Sequence, residues 1–214
     1  MAGTTPSWPE YRLEAFGEPY MVWHDGPDYS ELERRWRADS AFVEALLMQG
    51  LAERDPLAAQ AVARLPLRDE AHARFIEALA SGLGQSPVGF HLRAAEALFL
   101  LTGSQQWGDE IVLVLLGAGF WGDRLDAAIA LAAFEPTVPL ITALAHGVQD
   151  PDYLVRYHSA NTLLQFGGRA PAIAADDTLF SLIRSDRAPA KWESASVELT
   201  AEAMAKLADA APSA

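Results

Sequence analysis

The sequence predicts an all-α protein, a right-handed α-solenoid (α-α superhelix) of about five helical hairpins behind an irregular N-terminal cap. Three observations carry that expectation. Half of the residues are hydrophobic, and Ala and Leu dominate over β-branched runs, a composition that favours helix. A core of small residues closed by Leu recurs as Ala94-Ala95-Glu96-Ala97-Leu98, Ala127-Ala128-Ile129-Ala130-Leu131 and Ser159-Ala160-Asn161-Thr162-Leu163. From Leu98 to Leu131 is 33 residues and from Leu131 to Leu163 is 32, with Leu65 another 33 before Leu98. A period of that size, one helix pair per repeat, marks units that bury their apolar faces only against neighbours.

Residues 1–29 break helical patterning with Pro6, Pro9, Gly17, Pro19, Gly26 and Pro27 while supplying Trp8, Tyr11, Phe16, Tyr20 and Trp23. We read them as an irregular cap segment over the exposed end of the stack. Ser30 and Glu33 have capping-box spacing and predict a helix start. The solenoid proper is expected over 30–208. Its first hairpin takes 39–54 and 57–65, with Asp55-Pro56 as the turn. The second takes 69–83, with Phe75, Leu79 and Leu83 on one face, and 88–101, closed by Gly103 as a left-handed cap. The third runs 109–116 and 123–134 around the Gly-rich stretch 117–122. The fourth runs from Glu135-Pro136 to Gln149 and then 150–164, with Pro151 in the first turn and Val155, Ser159 and Leu163 on one stripe. In the fifth, Asp176-Asp177 opens a helix through Leu179, Leu182 and Ile183. A second helix follows from Lys191, with Ala195 and Ala203 both fitting the small core position. Residues 209–214 read as a frayed tail.

Twenty-nine acidic against sixteen basic residues give a formal charge of −13, which repels phosphate backbones and argues against nucleic-acid binding. A protein partner with a basic surface is the better electrostatic match. The absence of Cys excludes disulfides and thiolate metal sites and fits a reducing, cytoplasmic setting. Residues 1–17 lack the basic start and apolar core of a signal peptide. The longest apolar run, 111–121, is too short to span a bilayer and suits a helix covered on both flanks. Frequent Ala and a preference for Arg over Lys suggest a GC-rich bacterial genome.

Helical geometry places Leu92, Arg93 and Glu96, then Leu125, Asp126 and Ile129, then Tyr157, His158 and Asn161, with Trp192 last, on equivalent outer positions of the second helices. Side by side they would make one partner-binding strip of apolar anchors and charges. His91, Arg124 and Arg156 share an inward position. We expect them to form a structural ladder, each Arg pairing with a loop carboxylate such as Asp150 or Asp152. The pair Phe120-Trp121 lies in a Gly-flanked turn, where small polar residues are usual, and so fills a gap between units or serves as an exposed anchor. No metal site, cofactor site or catalytic residue is predicted. The five His lack His-Glu-x-x-His spacing, the nearest cluster (His24, Asp25, Asp28) sits in a Gly-Pro turn, and no nucleophile or phosphate-loop motif occurs. Asp109-Glu110 and Asp176-Asp177 fall at helix starts, as the macrodipole favours.

The run Asp152-x-x-Val155-Arg156-x-x-Ser159-Ala160-x-Thr162-Leu163 resembles the second helix of HEAT repeats. The resemblance is close in the fourth hairpin, fair in the second and third, weak in the first and fifth, and covers about residues 40–207. His91 and Ala58 depart from the Arg of that pattern, and residues 1–30 match nothing in it. The resemblance implies a curved stack with second helices lining a concave face, and a non-enzymatic binding role as an adaptor or as an immunity-type inhibitor of a basic toxin. The alternative is an accessory enzyme or small-ligand chaperone like the HEAT-like bilin lyases, which a closed apolar pocket would favour. The di-iron HEAT-like hydroxylases require His-Glu pairs that are absent here, and the alkylpurine glycosylases a basic groove of the opposite charge.

Overall fold

A computed structural model describes residues 6–210 except 19, 21, 23–25 and 85. Residues 211–214 of the expected tail lie outside that set, as do Trp23, His24 and Asp25. Three quarters of the chain is helical and the described residues contain no strand. The chain divides into two compact units, 1–104 and 105–214.

The first unit holds α1 (Trp8–Phe16), α2 (Ser30–Ala38), α3 (Ser40–Ala52), α4 (Pro56–Val62), α5 (Asp69–Gly82) and α6 (Val88–Thr102). The start of the predicted irregular cap is therefore helical. Ser7 and Glu10 form the capping box, and Pro9 lies in the first turn, where its missing N–H costs nothing. The box expected at Ser30 is not formed. Ser30 is already helical, and its amide donates to Asp28 Oδ1 at 2.9 Å. Asp39 caps α3 through the Phe42 amide, and Asp55 caps α4 through the amides of Leu57 and Ala58, with Pro56 at its first position.

Helices α3 and α4 form one hairpin and α5 and α6 a second. First helix packs on first (α3 on α5) and second on second (α4 on α6). Phe75, Leu79, Phe90, Leu98, Val43, Leu46 and Leu47 are buried between them, each such side chain stabilising the fold by about 1.5–3 kcal/mol. Helix α1 rests on α3 through Trp8, whose ring lies where a Cβ on Gly50 would sit, 2.7 Å from its Cδ2 and Cε2. Arg12 fastens α1 to Asp55 at 2.9 Å.

The second unit holds α7 (Trp107–Gly117), α8 (Trp121–Ala130), a 3-10 turn (Leu131–Ala133), α9 (Val138–Gly147), α10 (Tyr153–Phe166), a second 3-10 turn (Ile173–Ala175), α11 (Asp177–Ile183) and α12 (Pro189–Ala210). Helix α8 ends sooner than the pattern predicts, its last turn tightening to 3-10 before Pro136. Pro151 lies in the turn rather than in the helix, since Asp152 is the cap and accepts from the amides of Leu154 and Val155. The hairpins α7–α8 and α9–α10 again stack α7 on α9 and α8 on α10. Helix α12 covers both α9 and α10. It runs unbroken for 22 residues and buries Ala195 and Ala203 alike. The α9–α10 crossing is close because Gly147 faces Ser159: a Cβ there would be 2.9 Å from Ser159 Cβ and closer still to its Oγ.

Candidate functional site

The second unit gathers its polar chemistry at the N-terminal ends of its second helices. Arg124 in α8 and Arg156 in α10 perform the same local task at the same offsets. Arg124 Nη1 donates to the carbonyls of Ala118 at 2.9 Å and Gly119 at 3.2 Å. Arg156 Nη1 donates to those of Asp150 at 2.7 Å and Pro151 at 3.0 Å. In both cases the acceptors are six and five residues back, in the turn that precedes the helix. Each guanidinium then reaches onward. Arg124 clasps the Asp150 carboxylate through Nε (2.7 Å) and Nη2 (3.0 Å), a geometry that raises its pKa.

Arg156 Nε donates to the carbonyl of Ile183 at 2.8 Å, the last residue of α11. Its guanidinium also lies 4.1 Å from the Trp192 ring centroid. Arg156 is 1 % exposed, and this burial lowers its pKa. The carboxylate pairing predicted for Arg156 is thus replaced by carbonyls. Asp150 spends its carboxylate on Arg124, and Asp152 spends its own capping α10. His91 Nδ1 lies 3.1 Å from the Leu83 carbonyl, so the shorter side chain engages its own hairpin.

Between the α7–α8 and α9–α10 turns lies an open groove of about 660 Å³ lined by the Arg124–Asp150 pair with Leu115, Leu116, His146, Gly147 and Pro151. Phe120, in the turn that borders it, and Trp121, the first residue of α8, have ring centroids 5.5 Å apart at a 51° tilt. Phe120 is 56 % and Trp121 39 % exposed. The Phe120 ring is seated against Gly122, where an added Cβ would be 3.0 Å from Cζ and nearer still to Cε1. On α7, Leu113 and Leu116 are also more than half exposed. Of these exposed apolar residues, Leu116 also lines the groove.

The predicted strip is only partly displayed. Leu92 is 1 % and Trp192 8 % exposed. Neither is an outer anchor, because α6 buries two faces and Trp192 lies beneath Arg156. Arg93 and Glu96 are half-buried and paired to each other at 2.7 Å. Asn161 Oδ1 accepts the Ile173 amide at 2.8 Å, fixing the loop after α10. Ile129 is exposed, and Leu125, Asp126, Tyr157 and His158 are half-buried. Burial alone lowers the pKa of His158. Two further polar residues of α10 bind α8 and the 3-10 turn that follows it, the buried Thr162 donating through Oγ1 to Ala128 O at 3.1 Å and the exposed Gln165 through Nε2 to Ala132 O at 2.8 Å. Residues such as Leu116 and Leu113 were missed because a core helix and an exposed apolar helix look alike in sequence.

Among the described residues no cluster of three or more His, Asp or Glu could hold a metal ion, and no helix is long and apolar enough to cross a membrane. Comparison with protein-family models, curated proteins and solved structures finds no match.

Proposed function

We propose that the chain is an α-solenoid of HEAT-like hairpins acting as a non-enzymatic protein-interaction module in a reducing, cytoplasmic setting, with a partner that carries a basic surface. First-on-first and second-on-second helix packing within each unit supports the repeat reading, as does the identical reach of Arg124 and Arg156 to carbonyls six and five residues back. The observation that carries the binding role is the exposed pair Phe120–Trp121, the Phe120 ring seated on Gly122, directly after the Ala118-Gly119 edge of an open groove. Aromatic side chains held in one rotamer lose little entropy on binding and make the strongest interface anchors. Residues 105–214 carry fourteen Asp and Glu against seven Arg and Lys. Of those seven, Arg124 and Arg169 are held by carboxylates and Arg156 is buried. The outer charge of this unit is therefore acidic, and it complements a basic partner.

The test is capture and identification of a partner, followed by titration of the purified partner against the wild type and a Phe120→Ala/Trp121→Ala variant at two salt concentrations. Binding that is lost in the variant and weakened by salt supports the reading. A partner that binds the variant equally well removes the aromatic edge from it.

A further inference from the structure

The first unit contains a groove of the opposite electrostatic character. Two adjoining hollows of about 420 and 360 Å³ share Trp36, Arg37 and Pro66. Trp36 comes from the last turn of α2 and Pro66 from the loop between α4 and α5. Arg68 lines one hollow and Arg64 the other.

Residues 1–104 hold nine Arg and no Lys against fifteen Asp and Glu, so most of these cations are already engaged. Arg12 is held by Asp55, Arg34 and Arg35 by Glu31, and Arg93 by Glu96. The two carboxylates that border the hollows are engaged as well, Glu33 with Arg37 at 3.3 Å and Glu44 with Arg74 at 2.6 Å. Among the described residues Arg64 and Arg68 have no carboxylate partner. Arg64 is oriented by the Tyr29 ring, 5.4 Å from its guanidinium carbon. An apolar wall of Trp36 and Pro66 is thus flanked by two guanidinium groups that no carboxylate among the described residues holds, on an acidic protein.

We propose that this groove binds an acidic peptide segment of another protein, an aromatic or aliphatic residue resting on Trp36 and Pro66 while flanking carboxylates meet Arg64 and Arg68. Guanidinium forks match carboxylates bidentately, and the apolar wall supplies the area that a bare charge contact lacks. A nucleic acid is a poorer fit because the remaining surface repels its phosphates. The groove belongs to the first unit and does not rest on the aromatic edge of the second.

The experiment is selection of a displayed random-peptide library on the full-length protein, with selected peptides then titrated against Arg64→Gln/Arg68→Gln and against the exposed charge reversal Arg68→Glu. The expected result is enrichment of peptides with Asp or Glu flanking an aromatic or aliphatic residue. Their affinity should fall about tenfold or more in either variant and weaken with salt. Enrichment of basic peptides, no enrichment, or binding unchanged in both variants overturns the proposal. So does a single-stranded oligonucleotide that binds more tightly than the peptides, or a self-association in sedimentation that either variant abolishes. Because Arg68 is exposed, the charge reversal remains informative if replacing Arg64 disturbs Tyr29. The Phe120→Ala/Trp121→Ala variant should bind the selected peptides normally, which separates this groove from the edge.

Discussion

Replacing Arg156 with Ala is the most demanding perturbation of the second unit. It strands the carbonyls of Asp150, Pro151 and Ile183 and removes the cation stacked on Trp192. Each charge-assisted hydrogen bond contributes about 1.5–3 kcal/mol, and a desolvated cation over Trp about 2 kcal/mol. Their sum is not the expected loss, because withdrawing the guanidinium from water costs several kcal/mol in the folded state. The net destabilisation from truncating one side of such a buried network is about 3–5 kcal/mol. Arg156→Lys retains charge, but its compact ammonium cannot serve the turn carbonyls and Ile183 together. It should cost about 1.5–3 kcal/mol, the worth of one charge-assisted bond. Urea unfolding followed by circular dichroism gives both values, and amide exchange should show α11 fraying first, because Ile183 loses the donor that caps it. Arg156→Ala within about 1 kcal/mol of wild type, or Arg156→Lys indistinguishable from it, would refute the latch.

Other perturbations follow from single contacts. Gly147→Ala forces α9 away from Ser159 and should cost about 1–3 kcal/mol, as overpacked cores do; Ser159→Gly in the same chain should restore most of it in the same urea assay. Gly122→Ala displaces only the free end of the Phe120 ring. Stability should therefore stay within about 0.5 kcal/mol while partner affinity falls, and unchanged affinity would show that the ring's seat is irrelevant. Glu31, hydrogen-bonded by Arg34 and then Arg35, has its pKa lowered from 4.5 to about 2. Its contribution is present above pH 4.5 and lost as pH falls toward about 2, and NMR titration of its carboxyl should show that midpoint and an upward move in Arg34→Gln. His158 has its pKa lowered by burial, so the unfolded chain takes up its proton first. Stability is full above about pH 6.5 and declines as pH falls through that value, a slope that His158→Gln should flatten.

Hairpin periodicity was legible because it is written in small residues that must be small. Ala94, Ala127 and Ser159 are fully buried, each in the second helix of a hairpin within its own unit. The equivalence of Arg124 and Arg156 was readable for the same reason, as a polar residue at a fixed offset from that small core. Their partners were not, because carbonyl acceptors leave no trace in side-chain identity, and a nearby Asp therefore looked like the natural mate for Arg156. The outer strip failed residue by residue where tertiary context supplied a cover: Leu92 is buried on both sides of α6, and Trp192 is roofed by an Arg from another hairpin. Proline signals misled at the N-terminus. Pro9 starts α1 rather than breaking it, and only the capping box at Ser7 and Glu10 distinguishes the two outcomes.

Hydrogen bonds stitch the second unit's hairpins together at both ends of its second helices, Arg124 to Asp150 at one end and Thr162 and Gln165 to the carbonyls of Ala128 and Ala132 at the other. A pile of helix pairs joined only by aliphatic contacts bends like a loose spring, since greasy surfaces slide at little cost. Stitches at both margins remove that freedom, because bending toward either side stretches bonds on the other. Under the proposed binding role such a unit would act as a ruler rather than a hand: it would measure the spacing between a partner's anchor points instead of closing around them.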